Sequence, residues 1–122
     1  MITQEDIDAF ISDNPTVGAS PMEYSYWVEG KIMTGGESRL FENVLGLVGE
    51  AGEIAEKTKK LIRDNATVKR GDMIKELGDV LFYVTALANH FDSNLSEVIQ
   101  TNMDKLNSRA SRGVLSGNGD NR

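Results

Sequence analysis

Apolar residues between Leu40 and Ile62 recur at helical intervals. Phe41, Val44, Leu45, Val48, Ala51, Ala55 and Ile62 follow i, i+3, i+4 spacing, and Leu40, Leu47, Ile54 and Leu61 widen the stripe. This pattern predicts an amphipathic helix from about Glu37 to Arg63. So broad an apolar arc calls for more than one neighbouring helix. A second helical pattern runs from about Val68 to Phe91 through Met73, Ile74, Leu77, Val80, Leu81, Val84, Leu87 and Ala88. "RDNATVKRG" between the two reads as a turn. Asn94 with Glu97 three residues on is a cap for a third helix, to about Arg112, with Leu95, Val98, Ile99 and Leu106 on one stripe. Upstream, Thr34 and Glu37 have capping-box spacing, which predicts that the first long helix starts near Glu37. No stretch reads as a convincing strand. The expected class is all-α, a helical bundle built on an antiparallel core hairpin.

The ends of the chain are less regular. Residues 1–36 form an N-terminal segment, in which Ile7, Phe10 and Ile11 share one side of a short helix before "NPTVGASP" breaks it. "MEYSYWVEGKIM" then gathers two of the three tyrosines and the lone tryptophan, Trp27, without a decisive period. Residues 37–112 are the expected core, and "GVLSGNGDNR" (113–122) reads as a flexible tail.

Composition narrows the function classes. A chain of 122 residues suits one domain, and its net charge of -6 argues against a nucleic-acid polymer as partner, because phosphate contacts need a basic surface. No apolar run approaches a membrane span. The acidic N-terminus lacks signal-peptide character, and the absence of cysteine rules out disulfides and thiolate metal sites, which fits the cytoplasm.

The candidate chemistry lies in two acidic pairs. Glu50 and Glu53 on the first long helix, and Glu76 and Asp79 on the second, share i, i+3 spacing. In each pair the first acid borders the apolar arc and the second lies further toward the polar side, with the same rotational sense. Antiparallel packing therefore puts both pairs on one side of the hairpin, and a symmetric turn puts them at one level. Acidic pairs are common on solvated helix faces, but agreement in both level and side is not. Four crowded carboxylates repel unless a cation neutralises them. An all-oxygen ligand set without histidine or cysteine selects Mg²⁺ or Mn²⁺ over zinc. Asn102, Lys105 and Arg109 share one face of the third helix. They form either a solvated basic face or the amide and cations that a polyphosphate on the metals would need. Gly46, Gly49, Gly52 and Gly78 thin the same two helices. Gly52 suits helix–helix contact, while Gly46 and Gly78 leave room beside the acids for a bulky ligand.

"GLVGEAGEIAEKTKK", "MIKELGDVLFYVTALA" and "TNMDKLNSR" together resemble the MazG-like nucleoside triphosphate pyrophosphohydrolases of the all-α NTP pyrophosphatase superfamily. The likeness covers about Leu40 to Arg112. Glu50, Glu53, Glu76 and Asp79 meet the acidic signature, while Asn102, Lys105 and Arg109 match the trailing polar and basic positions. The resemblance implies hydrolysis of a (d)NTP to the monophosphate and diphosphate, with Mg²⁺ on the four acids. The all-oxygen ligand set lets Mn²⁺ substitute, and one of the four carboxylates could double as general base, with Glu53 the expected one. The resemblance also implies a homodimer or homotetramer whose subunits pack core helices together. Trp27 is a candidate for stacking on the base, although a lone tryptophan is often core, and guanine is the base expected over the others. A dUTP or dCTP pyrophosphatase and a phosphoribosyl-ATP pyrophosphohydrolase are the rivals within this class. A non-catalytic, metal-stabilised helical assembly module is the rival outside it.

Overall fold

The computed structural model describes residues 3–5 and 20–122, so the short helix expected around Ile7 to Ile11 lies outside the described residues. Within residues 20–122 four helices follow one another: α1 (Pro21–Lys31), α2 (Gly36–Arg63), α3 (Arg70–His90) and α4 (Leu95–Ser111). Among the described residues there is no strand, and the chain is all-α as expected.

The aromatic-rich stretch without a clear period is α1. Ser20 caps it by accepting a hydrogen bond from the Glu23 N–H at 3.1 Å, and Pro21 stands where a missing N–H costs nothing. The start of α2 departs from the capping-box expectation, because Gly35 is the N-cap and no side chain caps the helix. Gly36 enters with φ +62°, a left-handed conformation suited to glycine, so backbone geometry replaces the Thr34 capping box. Asn65, at φ 50°, helps turn the chain after α2. Asn94 caps α4 as predicted, accepting from the Glu97 N–H at 2.8 Å.

The helices α2 and α3 form the antiparallel hairpin. Helix α1 packs on α3 and α4, and α4 also touches α3. The small buried centre lies where these last three meet, around Val28, Thr85, Ala86, Ala88 and Leu95. Ser25 ties it together: its hydroxyl donates to the Pro21 carbonyl at 2.7 Å and accepts from the Leu95 N–H at 2.9 Å. Arg39 at the start of α2 is held by both oxygens of Glu29 on α1, at 2.7 and 2.6 Å. Asn89 on α3 donates to the same Glu29 at 3.2 Å.

Among the described helices, only α3 packs its backbone against α2. Much of the wide α2 arc therefore faces water in the single chain, with Phe41 63 %, Leu45 69 % and Val48 65 % exposed. Gly46 serves close packing rather than a ligand. A methyl group there would overlap the Tyr83 ring, so the absent side chain lets Tyr83 of α3 sit against the α2 backbone. A methyl group at Gly52 or Gly78 would meet nothing within 4 Å beyond its own helix, so Gly52 makes no helix contact in the single chain.

Candidate functional site

The hairpin brings Glu50 of α2 together with Glu76 and Asp79 of α3. One carboxylate oxygen of each lies within 4.8 Å of the others. Partial burial pushes the Glu50 carboxyl above its ordinary range. The charges of Asp79 and Glu76 push the same way, a hydrogen bond with Glu76 adds to this, and the Glu53 charge acts least. Glu53 itself is exposed and does not join the cluster. Like charges repel, and a glutamate on the solvent side relieves that repulsion by leaving its carboxylate in water. Three acids thus converge where the spacing predicted four.

The donor set suits a hard cation. All three groups are carboxylates, and oxygens around one Mg²⁺ at about 2.1 Å stand at most about 4.2 Å apart. The observed spread of up to 4.8 Å closes with a small side-chain adjustment. The nearest compensating charge is Lys57, one turn beyond Glu53, whose Nζ lies 3.8 Å from Glu76. Acid spacing alone does not single out Lys57, although the helical period puts it on the Glu50–Glu53 face.

An aromatic shelf borders the acids at their Asp79 end. The negative charge of Asp79 reaches the Tyr24 phenol, whose pKa is raised chiefly by burial and secondarily by that charge. Tyr24 stacks on Trp27 with centroids 5.7 Å apart, and Trp27 meets Phe82 edge-on at 6.2 Å. Trp27 is 53 % exposed, so it is not a core residue. Lys31 lies over its ring at 5.7 Å.

The polar face of α4 is placed differently. Asn102 and Lys105 line a hollow of about 390 Å³ with Ser93, Glu97, Val98 and Thr101. No Cα of α4 lies within 8 Å of one in α2, so in one chain these groups do not pack against the helix that carries Glu50. Arg109 is buried, only 4 % exposed. Its guanidinium donates to the Asp120 carbonyl at 2.6 Å and to the Asp120 carboxylate at 3.4 Å. Lys105 reaches the same carboxylate at 3.4 Å. These two cations, Lys105 first, hold the Asp120 carboxyl below its usual range. Residues 113–122, read as a flexible tail, fold back on α4 through these contacts. Arg122 adds hydrogen bonds to the carbonyls of Val114 at 3.2 Å and Leu115 at 3.0 Å.

Residues 41–114 match the MazG nucleotide pyrophosphohydrolase domain. The chain is also similar to the Gene 37 protein of Mycobacterium phage L5, with 56 % identity over 82 residues that cover 64 % of this chain and 72 % of the phage protein. No solved structure matches the chain. Among the described residues no helix is long and apolar enough to cross a membrane.

Proposed function

The chain belongs to the MazG nucleotide pyrophosphohydrolase family, and from that premise we propose that it hydrolyses a nucleoside triphosphate to the monophosphate and diphosphate with Mg²⁺ or Mn²⁺. The observation that carries the metal dependence is the convergence of Glu50, Glu76 and Asp79 within 4.8 Å, where partial burial, and then the charges of Asp79 and Glu76, raise the Glu50 pKa. A bound divalent ion would neutralise these acids, polarise a phosphoryl oxygen and acidify water.

In this reading the three acids orient the ion and, through it, the phosphates. Glu53, exposed beside the cluster, is free to take the proton from the attacking water. The water oxygen joins phosphorus at the bridge between the α and β phosphates, that bridge breaks, and the bridging oxygen leaves with the other fragment. Trp27, 53 % exposed beside Tyr24, offers a surface on which a nucleobase would stack in place of the Lys31 side chain that lies over its ring. The exposed apolar arc of α2 supports self-association, the arrangement in which Asn102 and Lys105 of another subunit reach the triphosphate.

Incubation with each (d)NTP and Mg²⁺, followed by separation of products, tests the proposal and identifies the base. The expected products are one monophosphate and diphosphate, with turnover abolished by excess chelator and restored by Mg²⁺ or Mn²⁺. Absence of turnover with every nucleotide would leave a metal-stabilised assembly module. Full turnover after removal of bound metal would remove the acids from the chemistry.

A further inference from the structure

The stripe that carries the acids continues toward the hairpin turn. On α2, Glu50, Glu53, Lys57 and Lys60 follow one another at i, i+3, i+7 and i+10. Leading back along α3 from Asp79, the same offsets give Glu76, Asp72 and Lys69. At about 100° per residue each series stays within about 80° of its helix surface. The two stripes face each other, since the hairpin pairs Lys57 with Glu76 at 3.8 Å.

Beyond that pair they enclose a hollow of about 180 Å³ lined by Lys57, Lys60, Lys69 and Asp72, with the turn residues Thr67 and Val68. Three lysines against one aspartate make this hollow basic in a chain whose net charge is -6. The other acids nearby make their ion pairs outside the hollow, although the Lys60 charge still reaches Asp64. Asp64 is held by two hydrogen bonds from Arg63, each 2.8 Å, and Glu56 pairs with Lys59 at 3.1 Å. Among the described residues no carboxylate forms an ion pair with Lys60 or Lys69.

The order along the hairpin is therefore an aromatic shelf at Trp27 and Phe82, the acids, and then the basic hollow. A nucleoside triphosphate has the same order: a flat base, the bridge that breaks, and a chain of phosphate charge. From Glu53 to Lys60 the helix rises about 10 Å, a reach on the scale of a polyphosphate. We propose that the hollow between Lys57, Lys60 and Lys69 binds the terminal diphosphate, the group released on hydrolysis. The inference rests on the nucleotide reading above and fixes the direction in which the substrate lies. Lys57 bridges the two regions, countering Glu76 on one side and facing phosphate on the other.

Calorimetry with inorganic diphosphate and Mg²⁺ on the full chain tests this without turnover. Lys60→Gln with Lys69→Gln removes two exposed charges and leaves Lys57 with Glu76. The double variant is expected to bind magnesium diphosphate about tenfold more weakly or worse, while affinity for the nucleoside monophosphate product stays within about twofold. The pair Lys60→Arg with Lys69→Arg keeps the charge and is expected to keep diphosphate affinity. Equal diphosphate affinity in wild type and the glutamine variant, or no diphosphate binding by wild type, would overturn the proposal. So would an equal loss for monophosphate and diphosphate. Turnover by wild type separates the two readings: hydrolysis without a lysine-dependent diphosphate site defeats only the hollow, and lysine-dependent binding without hydrolysis defeats only the enzyme.

Discussion

Asp79 separates a metal ligand from a structural ion-pair partner. Among the described residues no cation forms a salt bridge with it, while Glu50 and Glu76 stand within 4.8 Å. Two like charges about 4 Å apart repel by about 1 kcal/mol even in water. Asp79→Asn nearly preserves shape and removes one of them. The metal-free variant should melt at or above the temperature of metal-free wild type, and it should gain less from added Mg²⁺. Its turnover should fall by orders of magnitude. Thermal melts with and without Mg²⁺, set beside a product assay, make the comparison. A metal-free variant that melts lower yet still hydrolyses nucleotide would make Asp79 structural.

Between elements, polar contacts hold what the small apolar centre does not. Arg39 joins the start of α2 to α1 through both oxygens of Glu29, and those hydrogen bonds are the main cause lowering the Glu29 pKa. A carboxyl with a depressed folded pKa contributes stability that is fully present above its unfolded value. That stability is lost as pH falls through the folded value. Glu29→Gln should therefore melt below wild type at neutral pH, and the gap should close as pH drops below about 4.5, the unperturbed value. The pair is partly exposed, so the gap is modest, about 1 kcal/mol or less. A constant gap between neutral and acidic pH would mean that the ion pair contributes nothing. The same reasoning accounts for α4, where Asp120 anchors the tail through Lys105 and Arg109.

For the whole molecule the question is what covers α2. Phe41, Leu45 and Val48 lie largely in water on one helix, and Ile74, Leu77 and Leu81 add half-exposed apolar surface on α3. Scattered exposed apolar residues are ordinary, but contiguous faces of this kind mark interfaces. Wild type is expected to sediment at twice the chain mass or more, and Leu45→Asp is expected to shift it to monomer, because a buried unpaired carboxylate opposes association. A wild type that sediments as a monomer would leave the α2 face without a partner. Loss of turnover in the monomeric variant, with its helicity intact, would tie assembly to the site.

The sequence by itself determined the three longer helices, α2 to α4, and the direction of the hairpin, because both follow from local rules, whereas α1 showed no decisive period. Apolar period, the Asn94 cap and the turn after Arg63 act over a few residues and survive in any packing. The period also put Glu50, Glu76 and Asp79 on one side. It could not decide which carboxylates meet, since that depends on the rotation of α2 against α3 and on rotamers that balance repulsion against solvation. Glu53 stays in water for that reason, and Lys57 takes the contact with Glu76. Three other outcomes needed the tertiary fold. Tyr83 fills the space at Gly46, Trp27 lies on the surface of α1, and the tail's Asp120 reaches back to Arg109. Such contacts join positions distant in sequence, and no local pattern encodes them; only the packed chain fixes which side chain arrives.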